Sequence, residues 1–171
     1  SQNQKVTVVV SAFGKTTNNL LAGANIALED ISKAKEIIAD IKKLHLEVID
    51  DLVVKHKKEV EEYVSKLLKR LTSIYEGIFL LQELSNKTLA KVSSFGERLS
   101  SYIIANAAKE TLNATHKESR DLIVTNDNYL NAQVNFKSIV QSVESRLHWV
   151  ILNGFVFIFN FTHVLCYVKY Y

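Results

Sequence analysis

The stretch VVVSAFGKTTNNLL, Val8 to Leu21, switches from one secondary-structure pattern to another within a few residues. Lys5 to Val10 reads as a strand, with the unbroken apolar run of a sheet buried on both faces. Asn18 to Glu29 reads as a helix. Between them Gly14-Lys15-Thr16-Thr17 has the wording that ends a phosphate-binding loop. That loop also needs a glycine five residues before Gly14, and Val9 stands there, so the turn is not a Walker loop. A polar turn into a helix start still offers free backbone N–H groups and a positive dipole end to an anion. Phosphate, substrate and plain connection all remain open for it.

Helical spacing dominates the sequence from Ile31 onward. Ile31, Ala34, Ile38, Ile41, Leu44, Val48 and Leu52 predict a helix over 31–54. A third helix is expected over about 57–84, where Val60, Val64, Leu67, Leu71, Ile74, Ile78 and Leu81 alternate steps of four and three in the heptad pattern of a helix seam. A fourth is expected over 88–110 and a shorter one near 138–147. Ala114 to His116 and Ile123 to Thr125 read as short strand or loop segments.

With 171 residues, 47% of them hydrophobic and 23% charged, the chain has the composition of one globular domain or part of a larger one. A net charge of +3 without a basic, aromatic-interleaved run argues against nucleic acid. The single Cys166 excludes an internal disulfide framework and fits a reducing cytosol. The chain opens on Ser1 and contains no methionine, so its start reads as a cut edge. After His148 the segment WVILNGFVFIFNFTHVLCYVKYY carries one formal charge, Lys169, and is long enough to suggest a transmembrane span. Asn153, Gly154, Asn160, Thr162 and His163 weaken that reading.

Chemistry-bearing motifs are few. His45, His56, His116, His148 and His163 show no metal-ligand spacing, so no metal site is expected. No G-x-S-x-G elbow anchors a hydrolase triad. One carboxylate stands apart: SSFGERLSS, Ser93 to Ser101, sets Gly96 and Glu97 inside an otherwise good helix. Glycine there costs about 1 kcal/mol relative to alanine, which points either to a close approach of something to the backbone or to simple helix packing beside an exposed glutamate.

Taken in order, VVVSAFGKTTNNLL, the long helical region, LQELSNKTLAKVSSFGERLSS and SRDLIVTNDNY resemble the aspartokinases of the amino-acid kinase family over 5–155. The S-A-x-G-x-T-T-N turn and the S-x-G-E-x-L-S helix are the most specific parts. The resemblance implies an α/β fold in which parallel strands accompany a large helical portion, here as an incomplete domain. It implies transfer of the γ-phosphate of ATP to the side-chain carboxylate of L-aspartate, with Mg2+ assisting, as the first step toward lysine, threonine and methionine. It also implies a cytoplasmic, homo-oligomeric parent enzyme. By resemblance Ser11, Thr17 and Glu97 match positions that bind aspartate, and no residue of the chain is assigned as catalytic. Hydroxyls and N–H groups at a helix start suit a carboxylate, and a fixed anion suits an ammonium.

The departures are equally specific. The family's K-F-G-G-T-S loop, with its phosphate-binding lysine, is missing ahead of Ser1, and after Asn153–Phe155 the family's glycine-rich L-G-R-G-G-S-D-like segment is replaced by VFIFNFTHVLCYVKYY. The expectation is therefore a partial catalytic domain over 1–155, which holds the aspartate side, followed by an unmatched tail over 156–171. The main segments for ATP and Mg2+ are expected to lie outside this chain. The family's strand arrangement puts 149–154 beside 5–10. Two non-enzymatic alternatives are a helical interaction module built on the Val60–Leu81 seam and a tail-anchored membrane protein using 149–168.

Overall fold

The computed structural model describes residues 7–112, 114–121, 123–129, 131–135 and 150–153. In chain order these form β1 (Thr7–Val10), α1 (Thr16–Ile26), α2 (Ile31–Leu52), α3 (Lys57–Leu81), α4 (Asn86–Leu112), β2 (Thr115–Lys117), a 3-10 turn (Ser119–Asp121) and β3 (Val150–Asn153). The architecture is mainly helical, with three short strands among the described residues. β3 lies between the other two and pairs with each in parallel register, Val8 opposite Ile151 and His116 opposite Ile151. The expected neighbouring of 149–154 and 5–10 is seen in the described parts of both segments. The helix expected near 138–147 and the tail over 156–171 lie outside the described residues.

α2, α3 and α4 each begin or end for a local reason. Asp30 caps α2, its carboxylate accepting from the N–H groups of Ser32 at 3.0 Å and Lys33 at 3.1 Å. The Ser85 hydroxyl accepts the Thr88 N–H at 3.2 Å at the start of α4. Beyond α3, Gln82 takes a left-handed conformation at φ 52°. Its side-chain amide donates to the carbonyls of Phe79 and Leu28, tying the end of α3 to the α1–α2 connection.

The buried faces differ from the expected ones in an instructive way. In α2 the buried row is Ala34, Ile38, Ile41, His45 and Ile49, whereas Leu44 and Leu52 are 37% and 48% exposed. A straight helix turns every 3.6 residues, so a row that keeps stepping by about 3.5 rotates away from the core. In α3, Val60, Val64, Leu67, Leu71 and Ile78 are buried as expected, but Tyr75 is the fully buried residue where periodicity points to Ile74, and Leu81 is 76% exposed. The α3 seam is covered by the chain's own helices as part of one core cluster with α1, α2 and α4. It is therefore not a free surface for a coiled-coil partner. No helix among the described residues is long and apolar enough to cross a membrane.

α4 is the central element. Residues from more than one of its faces are buried, including Phe95, Gly96, Arg98, Leu99, Ser100, Ser101 and Ile103. It packs on α1, α2 and α3 and also on the three strands. Val10 of β1 meets Ala105, with Ile104 and Ala108 beside it. Nearer its start, α4 meets the turn that follows β1, so it runs against the strand direction and carries its first half past the carboxyl ends of β1 and β2.

His45 is buried in α2, where its Nδ1–H donates to the Ile41 carbonyl at 2.7 Å and its ring lies against Phe13 of the β1–α1 turn, centroids 5.4 Å apart. Its Nε2 has no partner among the described residues. Burial holds its pKa below the ordinary value, partly opposed by the bond to Ile41. The unfolded chain therefore takes up a proton more readily, and stability falls as pH drops from about 6.5 toward the lower folded-state pKa. His116 is lowered as well, so the comparison must isolate one ring. Urea denaturation between pH 7.5 and 5 should show a shallower loss of stability for His45→Leu than for the parent chain. Parallel curves would refute the assignment.

Candidate functional site

The turn between β1 and α1 supplies one side of the site. Gly14 sits at φ +50°, a left-handed conformation that side-chain-bearing residues rarely adopt. The Thr16 N–H returns to the Phe13 carbonyl at 3.0 Å and the Asn19 N–H to the Lys15 carbonyl at 3.0 Å. The Thr17 and Asn18 amides, in the first turn of α1, have no backbone acceptor among the described residues. Lys15, at the cap position, makes no capping bond through its side chain. The helix start is thus left with unpaired donors and its positive dipole end, the arrangement that favours an anion.

α4 supplies the other side, and glycine is what lets it come close. A Cβ on Gly96 would lie 2.7 Å from the Ala12 Cβ, 3.3 Å from the Thr17 Oγ1 and 3.5 Å from the Leu20 Cδ1. Two of these three neighbours, Thr17 and Leu20, belong to α1, so the close approach and the helix packing raised as alternatives by the sequence coincide at Gly96. Glu97, the next residue, is half-buried rather than exposed. Burial pushes its carboxyl pKa above the ordinary range, against a lowering bond from its own backbone. Among the described residues no cation pairs with it. One turn further along, the buried Ser100 hydroxyl donates to the Ser11 carbonyl at 2.8 Å. The Ser11 carbonyl and the Thr17 hydroxyl therefore lie beside the segment of α4 from Gly96 to Ser100 in which Glu97 stands, 86 positions along the chain from Ser11.

A second cluster lies where β2 ends. Arg98 Nε is 3.5 Å from Glu118 Oε1, and Arg120 grips the other oxygen of the same carboxylate through Nε, at 2.8 Å, and Nη2. Burial pushes the Glu118 pKa up, but the Arg120 hydrogen bond and the charges of Arg120 and Arg98 outweigh it, and the net shift is downward. Ser101 Oγ lies 3.1 Å from His116 Nε2. These contacts pin α4 to β2. The sequence offered SRDLIVTNDNY as a motif without indicating that Arg98 and Arg120 would share a carboxylate.

The opposite flank of α1 is held in the same manner. The Tyr75 hydroxyl donates to the Leu20 carbonyl at 2.6 Å, and a Cβ on Gly23 would fall 2.7 Å from that hydroxyl. Sequence reasoning missed Tyr75 and Gly23. A glycine inside the α1 pattern was the available signal, since such a residue is costly unless something approaches it. Among the described residues no group of three His, Cys, Asp or Glu side chains is placed to hold a metal ion.

Steric logic gives a paired prediction. Gly96→Ala drives a methyl against Ala12, whose Cβ cannot move without its backbone, while Gly77 in α3 has nothing within 4 Å of the same position. Overpacking costs about 1–3 kcal/mol, while the intrinsic helix gain on replacing glycine is about 1 kcal/mol. Gly77→Ala should raise the Tm and Gly96→Ala should lower it. Shifts of the same sign in thermal unfolding would contradict the close approach.

Known proteins share this outline. No family model matches the chain. It is 31% identical over 147 residues to aspartokinase 1, chloroplastic, of Arabidopsis thaliana, covering 82% of this chain and 25% of that protein. It is 25% identical over 168 residues to the bifunctional aspartokinase/homoserine dehydrogenase of Buchnera aphidicola, covering 91% of this chain and 20% of that protein. Among solved structures, E. coli aspartokinase III in complex with aspartate and ADP (R-state) superposes with a TM-score of 0.79 at 21% identity, over 91% of this chain and 35% of that one. The same enzyme with lysine and aspartate (T-state) gives 0.78 at 22% identity, over 88% and 34%. In sequence and in fold the chain belongs with the aspartokinases, and it spans about a quarter of the length of the curated relatives it matches.

Proposed function

We propose that residues 1–155 form the aspartate-binding part of an aspartokinase catalytic domain of the α/β amino-acid-kinase type, with 156–171 as a tail outside the family pattern. In this reading the parent enzyme moves the γ-phosphate of ATP to the side-chain carboxylate of L-aspartate, giving 4-phospho-L-aspartate on the route to lysine, threonine and methionine. The parent is read as a cytoplasmic homo-oligomer. The observation that carries the reading is the convergence of two opposite charge preferences. The β1–α1 turn presents unpaired amides at a helix start, and Glu97 presents a half-buried carboxylate with no cation of its own among the described residues. An α-amino acid with an acidic side chain supplies both missing charges. Ser11 and Thr17 are assigned to its carboxylate end and Glu97 to its ammonium.

The likeness to an aspartokinase solved with aspartate and ADP supports this reading. The β1–α1 turn lacks the first glycine of a Walker-type phosphate loop, and the main segments for ATP and Mg2+ are assigned to parts of the parent enzyme outside this chain. The site residues bind and orient an amino acid, and the stabilisation of a transferring phosphoryl group falls to other parts of the parent enzyme.

The purified chain should therefore form no aspartyl hydroxamate with ATP, and measurable ATP-dependent product would overturn the division of labour. L-aspartate binding, followed by calorimetry, should weaken about tenfold or more in Glu97→Gln, as loss of a charge-assisted hydrogen bond requires. Affinity should also fall on acidification from a higher pH than an ordinary glutamate would give, because the raised pKa protonates Glu97 early and removes the anion. An acid-side loss of affinity that persists unchanged in Glu97→Gln would exclude Glu97 as the ammonium partner.

A further inference from the structure

The geometry points to Ser100 as a positioning residue that sets the distance between the two halves of the aspartate site and so selects the length of the bound amino acid. The inference rests on the proposed aspartate site. Ser100 is the final serine of the S-x-G-E-x-L-S helix motif and has no role in that reading. Its side chain is fully buried in the middle of α4. The hydroxyl lies 2.8 Å from the Ser11 carbonyl oxygen and 3.2 Å from the Glu97 carbonyl oxygen. One hydroxyl hydrogen is thus shared between the backbones of the residue that opens the turn and the residue that carries the unpaired carboxylate.

A serine in a helix ordinarily returns its hydroxyl to a carbonyl three or four positions back. Ser93 and Ser94 do this and nothing else, with bonds of 2.9 Å to Ala90 and 2.8 Å to Lys91. At Ser100 the tertiary bond is the shorter of the two. It spans 89 positions of sequence and joins α4 to the end of β1. Gly96, four residues earlier on the same face, lets α4 approach the turn, and Ser100 fixes where along the helix the turn is held. The span from the Glu97 carboxylate to the amides of the turn is set by that registration.

An amino acid bridging the two ends is measured against this span. A site of fixed length discriminates against one extra methylene by about 10- to 200-fold. Glutamate is aspartate plus one methylene. Without the Ser100 bond the turn gains freedom relative to Glu97, so aspartate loses its fit while the longer ligand gains access.

The test compares calorimetric titrations of L-aspartate and L-glutamate into the 171-residue chain, Ser100→Ala, Ser94→Ala and Glu97→Gln. Ser94→Ala also deletes a buried α4 hydroxyl but breaks only a local bond, so it controls for general loosening of the helix. In Ser100→Ala the aspartate affinity should fall about two- to tenfold and the aspartate-to-glutamate preference should shrink. In Ser94→Ala the preference should be unchanged. A Ser100→Ala chain that keeps the parent preference overturns the positioning role and leaves the site reading standing. If the parent chain binds neither amino acid, or Glu97→Gln binds aspartate as tightly as the parent, the site reading fails and the inference with it. A preference that shrinks equally in both serine variants shows a general effect of α4 stability and also overturns the role assigned to Ser100.

Discussion

The structure depends on the absence of a side chain at residue 96. α4 can lie against the β1–α1 turn only because Gly96 leaves room for Ala12 and Thr17. Once that approach is made, Ser100 reaches the Ser11 carbonyl, and Glu97 is left half-buried rather than exposed. Gly23 does the same service on the far flank of α1, where Tyr75 crosses it to reach Leu20. α1 is therefore gripped from two sides through two glycines. Each glycine costs helix stability of about 1 kcal/mol. The buried hydrogen bonds and the contact they permit offset that cost.

Charge is distributed unevenly along α4, and the unevenness has chemical meaning. Toward β2, one carboxylate, Glu118, is served by two arginines. Toward the turn, Glu97 has none among the described residues and is held partly out of water, where the ionised form is disfavoured. A buried anion without a partner is expensive. It is tolerated where a ligand supplies the counter-charge, and the unpaired amides at the start of α1 face the opposite need. These opposite charge preferences are the ones on which the proposed amino-acid site rests.

Most of the elements were legible from periodicity. The sequence predicts helices over 18–29, 31–54, 57–84 and 88–110, and the structure has 16–26, 31–52, 57–81 and 86–112. What periodicity misplaced was the facing of individual residues. Leu44, Leu52 and Leu81 were expected inside and lie outside, whereas His45 and Tyr75 lie within. Hydrophobicity alone ranks a leucine above a histidine for the core. The packing of four helices on one another fixes the azimuth of each surface instead, and a buried histidine or tyrosine is stable if its polar atom finds a carbonyl, as His45 finds Ile41 and Tyr75 finds Leu20.

The sequence by itself determined the order of elements, the strand-to-helix turn at Ser11–Thr17 and the oddity of a glycine and a glutamate inside the fourth helix, because these are properties of neighbours along the chain. It also carried, as wording, the resemblance that the relatives support. Only the tertiary structure decided that Gly96 is a point of contact, that Ser100 joins Ser11 to the Glu97 segment, and that Arg98 and Arg120 share Glu118 while Glu97 has no cation among the described residues. Those facts rest on distances between residues as many as 89 positions apart. They arise from how α4 crosses the turn and the strands, and no local pattern encodes where two such distant segments will meet.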